Sequence, residues 1–203
     1  MKQPQTPKAE QTRQLIVARA AELFNQKGFA GTSYQDLMAA TGVTKGCLYG
    51  HFGSKEELAV VAFEYAAQLL IDRVGAAMAP YEHAGQRLRA LLQFYRTYLA
   101  HPVLAGGCPL LNTAVEADDN QPALHQRVIL VLDRLHKGVR KLLELGQAQG
   151  VFNPAANASA LATFFIATVE GAILLGKAYN QEQPLHTVLD QLERFLQQEL
   201  GPF

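Results

Sequence analysis

The sequence predicts an all-α fold, on three observations. Apolar residues recur at helical spacing along nearly the whole chain, no stretch alternates apolar and polar residues as a half-buried strand does, and Pro, Gly or Asn punctuates each junction between periodic segments. With 203 residues, 49% of them apolar, the chain can bury one large core or two modest ones.

The first helix is expected over about residues 8–26, where Ile16, Ala20, Leu23 and Phe24 share a face, and Gly28 ends it. Thr32 and Ser33 can each accept a hydrogen bond from the unpaired N–H groups of a short second helix, with Gln35 and Asp36 three residues on. Thr41-Gly42-Val43 then makes a tight turn, because Gly42 adopts the left-handed conformation cheaply and Val43 plugs the gap between helices. Thr44 caps a third helix reaching about Phe52. Leu48 and Phe52 are its packing stripe, while Lys45, Gly46 and Tyr49 fall on other faces. One side packs and another is left for a partner, which is the pattern of a helix-turn-helix. Gly46 and Gly50 each cost about 1 kcal/mol against Ala inside a helix. Close approach of the backbone to a phosphate chain or a base edge would explain Gly46. Ser54-Lys55-Glu56-Glu57 forms a capping box for the next helix and puts Lys55 at its N-terminus, where a phosphate would be held.

That fourth helix carries Leu58, Val61, Phe63, Tyr65, Leu69 and Leu70 to about Met78 before Pro80 breaks it. Further helices are expected over about 85–100, 110–116, 122–149, 155–179 and 184–200. Each of the last two has a continuous apolar stripe: Leu161, Phe164, Phe165, Thr168, Ala172 and Leu175 in one, Leu185, Val188, Leu189, Leu192, Phe195 and Leu196 in the other. Stripes of this kind belong to an ordinary core or to an assembly surface.

The net charge is zero, which taken whole argues against a general nucleic-acid binder. Its distribution argues otherwise: residues 1–55 hold seven Lys or Arg against three acids, a net +4, which leaves −4 for the remainder. A basic N-terminal part on an acidic body fits a small DNA-reading head. Two cysteines make no disulfide scaffold, and six histidines lack paired ligand spacing, so no metal or cofactor is expected. Residues 1–12 are polar, with Pro4 and Pro7, unlike a signal peptide, and the apolar run 158–175 is broken by Thr163, Thr168 and Glu170. A cytoplasmic protein without a membrane partner is expected.

Gly28-Phe29, Thr32-Ser33, Gly42-Val43-Thr44-Lys45-Gly46, Leu48-Tyr49, His51-Phe52 and Ser54-Lys55-Glu56 match in order the DNA-binding region of the TetR/AcrR-type transcriptional regulators. The chain resembles that family in detail over about its first third, and beyond it in length and helical character. The resemblance implies that Tyr34, Tyr49, His51 and Lys55 hold phosphates and that Gln35, Thr44, Lys45 and Cys47 lie near base edges, with Thr32, Ser33 and Gly46 completing the expected DNA-binding set. Position 50, which in the family often carries a large side chain facing DNA, is Gly here. It further implies a homodimer through the last two helices, built on Leu161, Phe164, Phe165, Ala172, Leu175, Leu185, Leu189, Leu192, Phe195 and Leu196. Such a dimer would bind a palindromic double-stranded operator. The domain organisation expected is an arm over 1–8, a helix-turn-helix domain over 9–53, and a helical ligand-binding and dimerisation domain over 54–203.

For the body, the resemblance implies a cavity for a small-molecule inducer, with Phe63, Tyr95, Tyr98, Cys108, Asn112, Glu116, Phe165 and Glu170 as candidate lining. Aromatic walls with a few polar groups suit a partly apolar molecule, while internal hydrogen bonds are the alternative role for Asn112 and Glu116. Cys108 precedes a helix start at Pro109, where amide N–H groups could stabilise a thiolate reactive toward oxidants or electrophiles. A buried Cys acting as a small hydrophobe is the other reading. No base can be placed beside Cys108 from the sequence, with His101 and His125 only speculative partners, so no enzyme is expected. The expected function is a dimeric sequence-specific DNA-binding regulator, a repressor released by a small molecule or by thiol modification. The competing reading is a helical interaction module that has lost DNA binding.

Overall fold

The computed structural model describes residues 7–117 and 121–203, and among them the chain forms nine α-helices and no strand. These are α1 (Pro7–Gly31), α2 (Tyr34–Thr41), α3 (Lys45–His51), α4 (Lys55–Met78), α5 (Ala84–Arg96), α6 (Pro109–Ala117), α7 (Pro122–Ala148), α8 (Ala158–Tyr179) and α9 (Gln183–Leu200). Of the arm expected over 1–8, residues 1–6 lie outside the described residues, while Pro7 and Lys8 belong to α1.

The helix ends follow local chemistry. α1 runs past its expected stop, but with a break at Gly28, whose φ of 76° and ψ of 168° are not helical. α5 stops at Arg96 rather than at 100, because Thr97 (φ −97°, ψ 4°) leaves the helical region. α8 begins at Ala158 rather than 155, where the Asn157 side chain accepts from the Ala160 N–H at 3.0 Å. Pro184 sits in the first turn of α9, where its missing N–H costs nothing.

Two compact units emerge, one from residues up to 68 with 104–129, the other from 69–103 with 130–203. The first half of α4, α6 and the start of α7 belong with the head, because polar side chains of α6 grip α1. In the first unit α1 packs on α2 and α6 around buried Ile16, Ala20, Leu37, Leu48, Leu58, Ala62 and Leu110. In the second, α8 packs along α9 and α9 meets α5, around Leu88, Leu92, Tyr98, Leu143, Phe165 and Ile173. Tyr95 joins this core through ring contacts with Phe94, Tyr98 and Phe165 at 5.1–6.1 Å between centroids. Arg96 ties α5 to α9 through Asp190 at 2.5 Å and Glu193 at 2.7 Å. Burial opposes its charge, and the two carboxylates outweigh that, holding it above its usual value.

The dimer surface expected from the sequence needs correction. Leu161, Phe165 and Ala172 of α8 and Leu185, Leu189, Leu192 and Leu196 of α9 are buried within their own unit, none more than 6% exposed, so they cannot meet a second chain. They are part of that unit's core. Of the expected set, Phe164 and Leu175 are exposed, at 43% and 41%, and Phe195 is half-buried with its ring 4.7 Å from that of Phe164. The outward face also includes Leu174 and Tyr179, at 52% and 65%, and exposed Ala167 and Ala178. α8 is apolar on both faces. Among the described residues it is the one helix long and apolar enough to cross a membrane by length and composition, though a third of that stretch is buried.

Candidate nucleic-acid interface

The helix-turn-helix is assembled from local caps. Ser33 Oγ accepts from the Asp36 N–H at 3.1 Å while the Asp36 carboxylate accepts from the Ser33 N–H at 2.8 Å, a reciprocal box that starts α2. Lys27 donates to the other Asp36 oxygen at 2.5 Å, and this pair together with Ser33 holds the carboxyl well below the usual carboxylate range. Gly42 ends α2 at φ 70°, its N–H returning to the Met38 carbonyl at 2.9 Å. Thr44 Oγ1 accepts from the Cys47 N–H at 3.2 Å and starts α3. Leu48 and Phe52, 2% and 3% exposed, anchor α3, and the Arg13 guanidinium lies 5.0 Å over the Phe52 ring. Ser54 Oγ accepts from the Glu57 N–H at 3.1 Å, and the Glu57 carboxylate accepts from the Gly53 N–H at 2.8 Å, opening α4.

On the outer side, the Tyr34 and Tyr49 rings stack with centroids 5.2 Å apart and planes at 28°. The Lys45 ammonium sits over both, 5.5 Å from one and 5.8 Å from the other. The Tyr34 hydroxyl is pushed up to about 12, first by its hydrogen bond with Tyr49 and then by desolvation. At neutral pH it is thus an uncharged donor. The result is a preformed cluster of one cation and two phenols.

The remaining expected contacts divide. Gln35, Thr44 and Gly46 are exposed beside the cluster, while Cys47 and His51 are half-buried on α3. Thr32 is 1% exposed and its Oγ1 donates to the Gly28 carbonyl at 2.7 Å, so it closes the end of α1 and does not reach a duplex. Lys55 Nζ donates to the Phe29 carbonyl at 2.5 Å and lies 4.1 Å from the Phe29 ring centroid, which fixes it against α1.

The end of α1 is also held from α6, through internal hydrogen bonds of the kind weighed for Asn112 and Glu116 as the alternative to lining a cavity, though their partners on α1 were not foreseen. The Glu116 carboxylate accepts from the Phe29 N–H at 2.6 Å and the Ala30 N–H at 2.8 Å. Asn112, one turn earlier, donates through Nδ2 toward the Asn25 carbonyl at 3.1 Å, Asn25 Oδ1 at 2.9 Å and the Gly106 carbonyl at 2.9 Å. Asn25 in turn donates to the Ala105 and Gly107 carbonyls. The positions of Asn112 and Glu116 one turn apart on a short helix were the available signal.

The candidate ligand residues are correspondingly not one set. A cavity of about 550 Å³ in the second unit is lined by apolar side chains of α4, α5, α7 and α8 together with Tyr95, Phe165 and Glu170. Tyr98 is buried in that unit's core without lining the cavity. Phe63, Cys108, Asn112 and Glu116 belong to the first unit, and the polar groups of the last two serve α1. Cys108 is 2% exposed, which denies a reagent the access that thiol chemistry requires. Among the described residues no cluster of three His, Cys, Asp or Glu is placed to bind a metal ion.

Residues 16–62 match the model of the tetR family of bacterial regulatory proteins, and residues 84–192 match the tetracyclin repressor-like C-terminal domain. The structure resembles that of a TetR transcriptional regulator from Chloroflexus aurantiacus, at 42% identity and a TM-score of 0.92, over 96% of this chain and 98% of the other. A TetR-family regulator from Cytophaga hutchinsonii is similar at 32% identity and a TM-score of 0.89, over 97% and 98%. In sequence, an HTH-type transcriptional regulator of Mycobacterium tuberculosis is 30% identical over 191 residues, 93% of this chain and 95% of the relative. The HTH-type transcriptional repressor DhaR of a Mycobacterium species is 27% identical over 177 residues, covering 87% and 88%. These relatives are regulators of transcription, not enzymes.

Proposed function

This chain belongs to the TetR family of transcriptional regulators, and from that membership we propose that it acts as a dimeric, ligand-released repressor on a palindromic operator. The observation that carries the reading is the capped helix-turn-helix with Lys45, Tyr34 and Tyr49 preassembled on its outer side. In this reading α3 enters the major groove, the two phenols and Lys45 meet phosphates, and Gln35, Thr44 and Cys47 face base edges. Gly46 and Gly50 leave the outer surface of α3 bare, since an added Cβ at Gly50 would meet nothing within 4 Å.

The outward face of α8, with Phe164, Leu174 and Leu175, supports pairing with a second copy. Two-fold pairing would set two heads one helical turn apart, about 34–36 Å, on a palindrome. That face also accounts for the apolarity of α8 without a bilayer, in keeping with a cytoplasmic regulator. Repression follows the example of DhaR. The cavity in the second unit is the proposed inducer site. An inducer acts by binding more tightly to the conformation with low operator affinity, about 1.4 kcal/mol for each tenfold loss.

The test is binding of the purified protein to its own upstream DNA across a salt series, beside a scrambled duplex of equal length. A specific complex of two chains per site, weakening as salt rises and lost in Lys45→Ala, is expected. Equal affinity for both duplexes, unchanged by Lys45→Ala, would favour an interaction module instead.

A further inference from the structure

The cavity of the second unit joins two different surfaces. Its floor is apolar: Leu91, Phe165 and Val169 are each 2% exposed, and Tyr95 and Leu142 are buried beside them. Its rim is charged, and the exposed charges on it, Asp133, Arg134, Lys137 and Lys141, all come from α7. Arg134, Lys137 and Lys141 follow at steps of three and four residues, which sets them along one face of the helix. Arg134 has a partner in the chain, and so does Glu170, the half-buried carboxylate that α8 adds to the lining. Lys137 and Lys141 have neither a hydrogen bond nor an ion pair among the described residues. Two like charges one turn apart on a helix repel each other. Asp133, one turn before Lys137, offsets part of that charge, and Lys141 lies a turn further on. Gly75 of α4 and Gly138 of α7 are exposed on the same rim, and a Cβ built at either meets nothing within 4 Å, so neither helix obstructs the opening there.

We infer that this cavity takes an amphipathic anion, with its apolar body on the floor and its oxyanion head between Lys137 and Lys141; the inference rests on the ligand-cavity reading above. An apolar body gains free energy in proportion to the area it removes from water, and the floor offers apolar side chains to receive it. A charged head is costly to desolvate fully. At the rim it keeps part of its hydration while meeting two ammonium groups, and it relieves their mutual repulsion. A cationic head at the same place would add a third like charge, and Glu170 already has its own partner. Exposed ion pairs contribute little, so the lysines set the choice of head while the body supplies most of the affinity. At about 550 Å³ the cavity has the size of ordinary small-molecule sites.

The methionines supply a probe, since Met78 lines the cavity and Met38 lies on α2. The experiment titrates the whole chain, isotopically labelled at the methionine methyls, with octanoate, octan-1-ol and octylammonium at pH 7, and takes each Kd from the Met78 resonance. Octanoate is expected to bind about fivefold more tightly than octanol and octylammonium about fivefold less tightly, the size of two exposed ion pairs made or opposed. That spread should narrow as salt is raised, because both lysines are exposed. Lys137→Gln with Lys141→Gln should bring octanoate within about twofold of octanol and leave octanol itself unchanged, which also shows that the variant is folded. Any order in which octanoate is not the tightest, or a preference for it that survives the loss of both lysines, overturns the inference, while a shifting Met78 keeps the cavity reading. A Met78 resonance that none of the three shifts overturns the cavity reading itself.

Discussion

Glu116→Gln isolates the clamp between α6 and α1. The carboxylate receives two backbone N–H groups, from Phe29 at 2.6 Å and Ala30 at 2.8 Å, immediately after the break at Gly28. Glutamine keeps the shape but offers one oxygen, and its NH₂ would face the second N–H. One charge-assisted bond is lost and the other is weakened. Hydrogen bonds to charged groups contribute about 1.5–3 kcal/mol, so destabilisation of about 2 kcal/mol is expected. For a chain of this length that is roughly 4–8 °C in Tm. Thermal unfolding followed by circular dichroism, with urea midpoints as a second measure, reads it directly. Gly28→Ala should be at least as damaging. Its Cβ would lie 2.8 and 2.9 Å from the Glu116 oxygens, and φ of +76° is itself unfavourable for alanine. A Tm change under about 1 °C for Glu116→Gln would show that water replaces the clamp at no cost, and would refute the reasoning.

Ser33→Ala removes the cap of α2 and should cost about 1 kcal/mol, or 2–4 °C in Tm, while Ser33→Asp should retain most of it. Spectrophotometric titration of the phenols should show one group near pH 12 that is absent from Tyr34→Phe. Because that folded pKa is raised, the stabilisation linked to it is complete below the ordinary phenol value near 10 and is lost as pH rises through about 12. If the proposed pairing through α8 holds, light scattering at micromolar concentration should give a dimer for the parent chain and a monomer for Leu174→Glu with helicity unchanged, since this side chain is 52% exposed on the single chain.

The head was legible because its determinants are local. Ser33 with Asp36, Gly42 with Met38, Thr44 with Cys47 and Ser54 with Glu57 all close within four residues, so spacing alone announces them. Thr32 was misread for the same reason, since two adjacent hydroxyls look equally able to cap and only the position of Gly28 decides between them. The placement of α6 depends on partners 86 and 87 residues away, which no periodicity encodes. On α8 the apolar stripe was found but given to the wrong neighbour, because a helix apolar on both faces does not say which one its own chain covers. The cavity brought together Tyr95, Phe165 and Glu170 from two helices, a coincidence visible only once α5 and α8 are packed.

The position of Lys45 over two stacked rings also bears on the thermodynamics of any anion it meets. A lysine free in solvent surrenders up to roughly 2 kcal/mol of rotamer freedom when it is fixed. Here part of that restriction is already imposed by folding. The opposing entropy on contact is smaller than for an untethered lysine. Calorimetry on a background carrying Tyr34→Ala and Tyr49→Ala would therefore show the loss in the entropy of association, with the charge count unchanged.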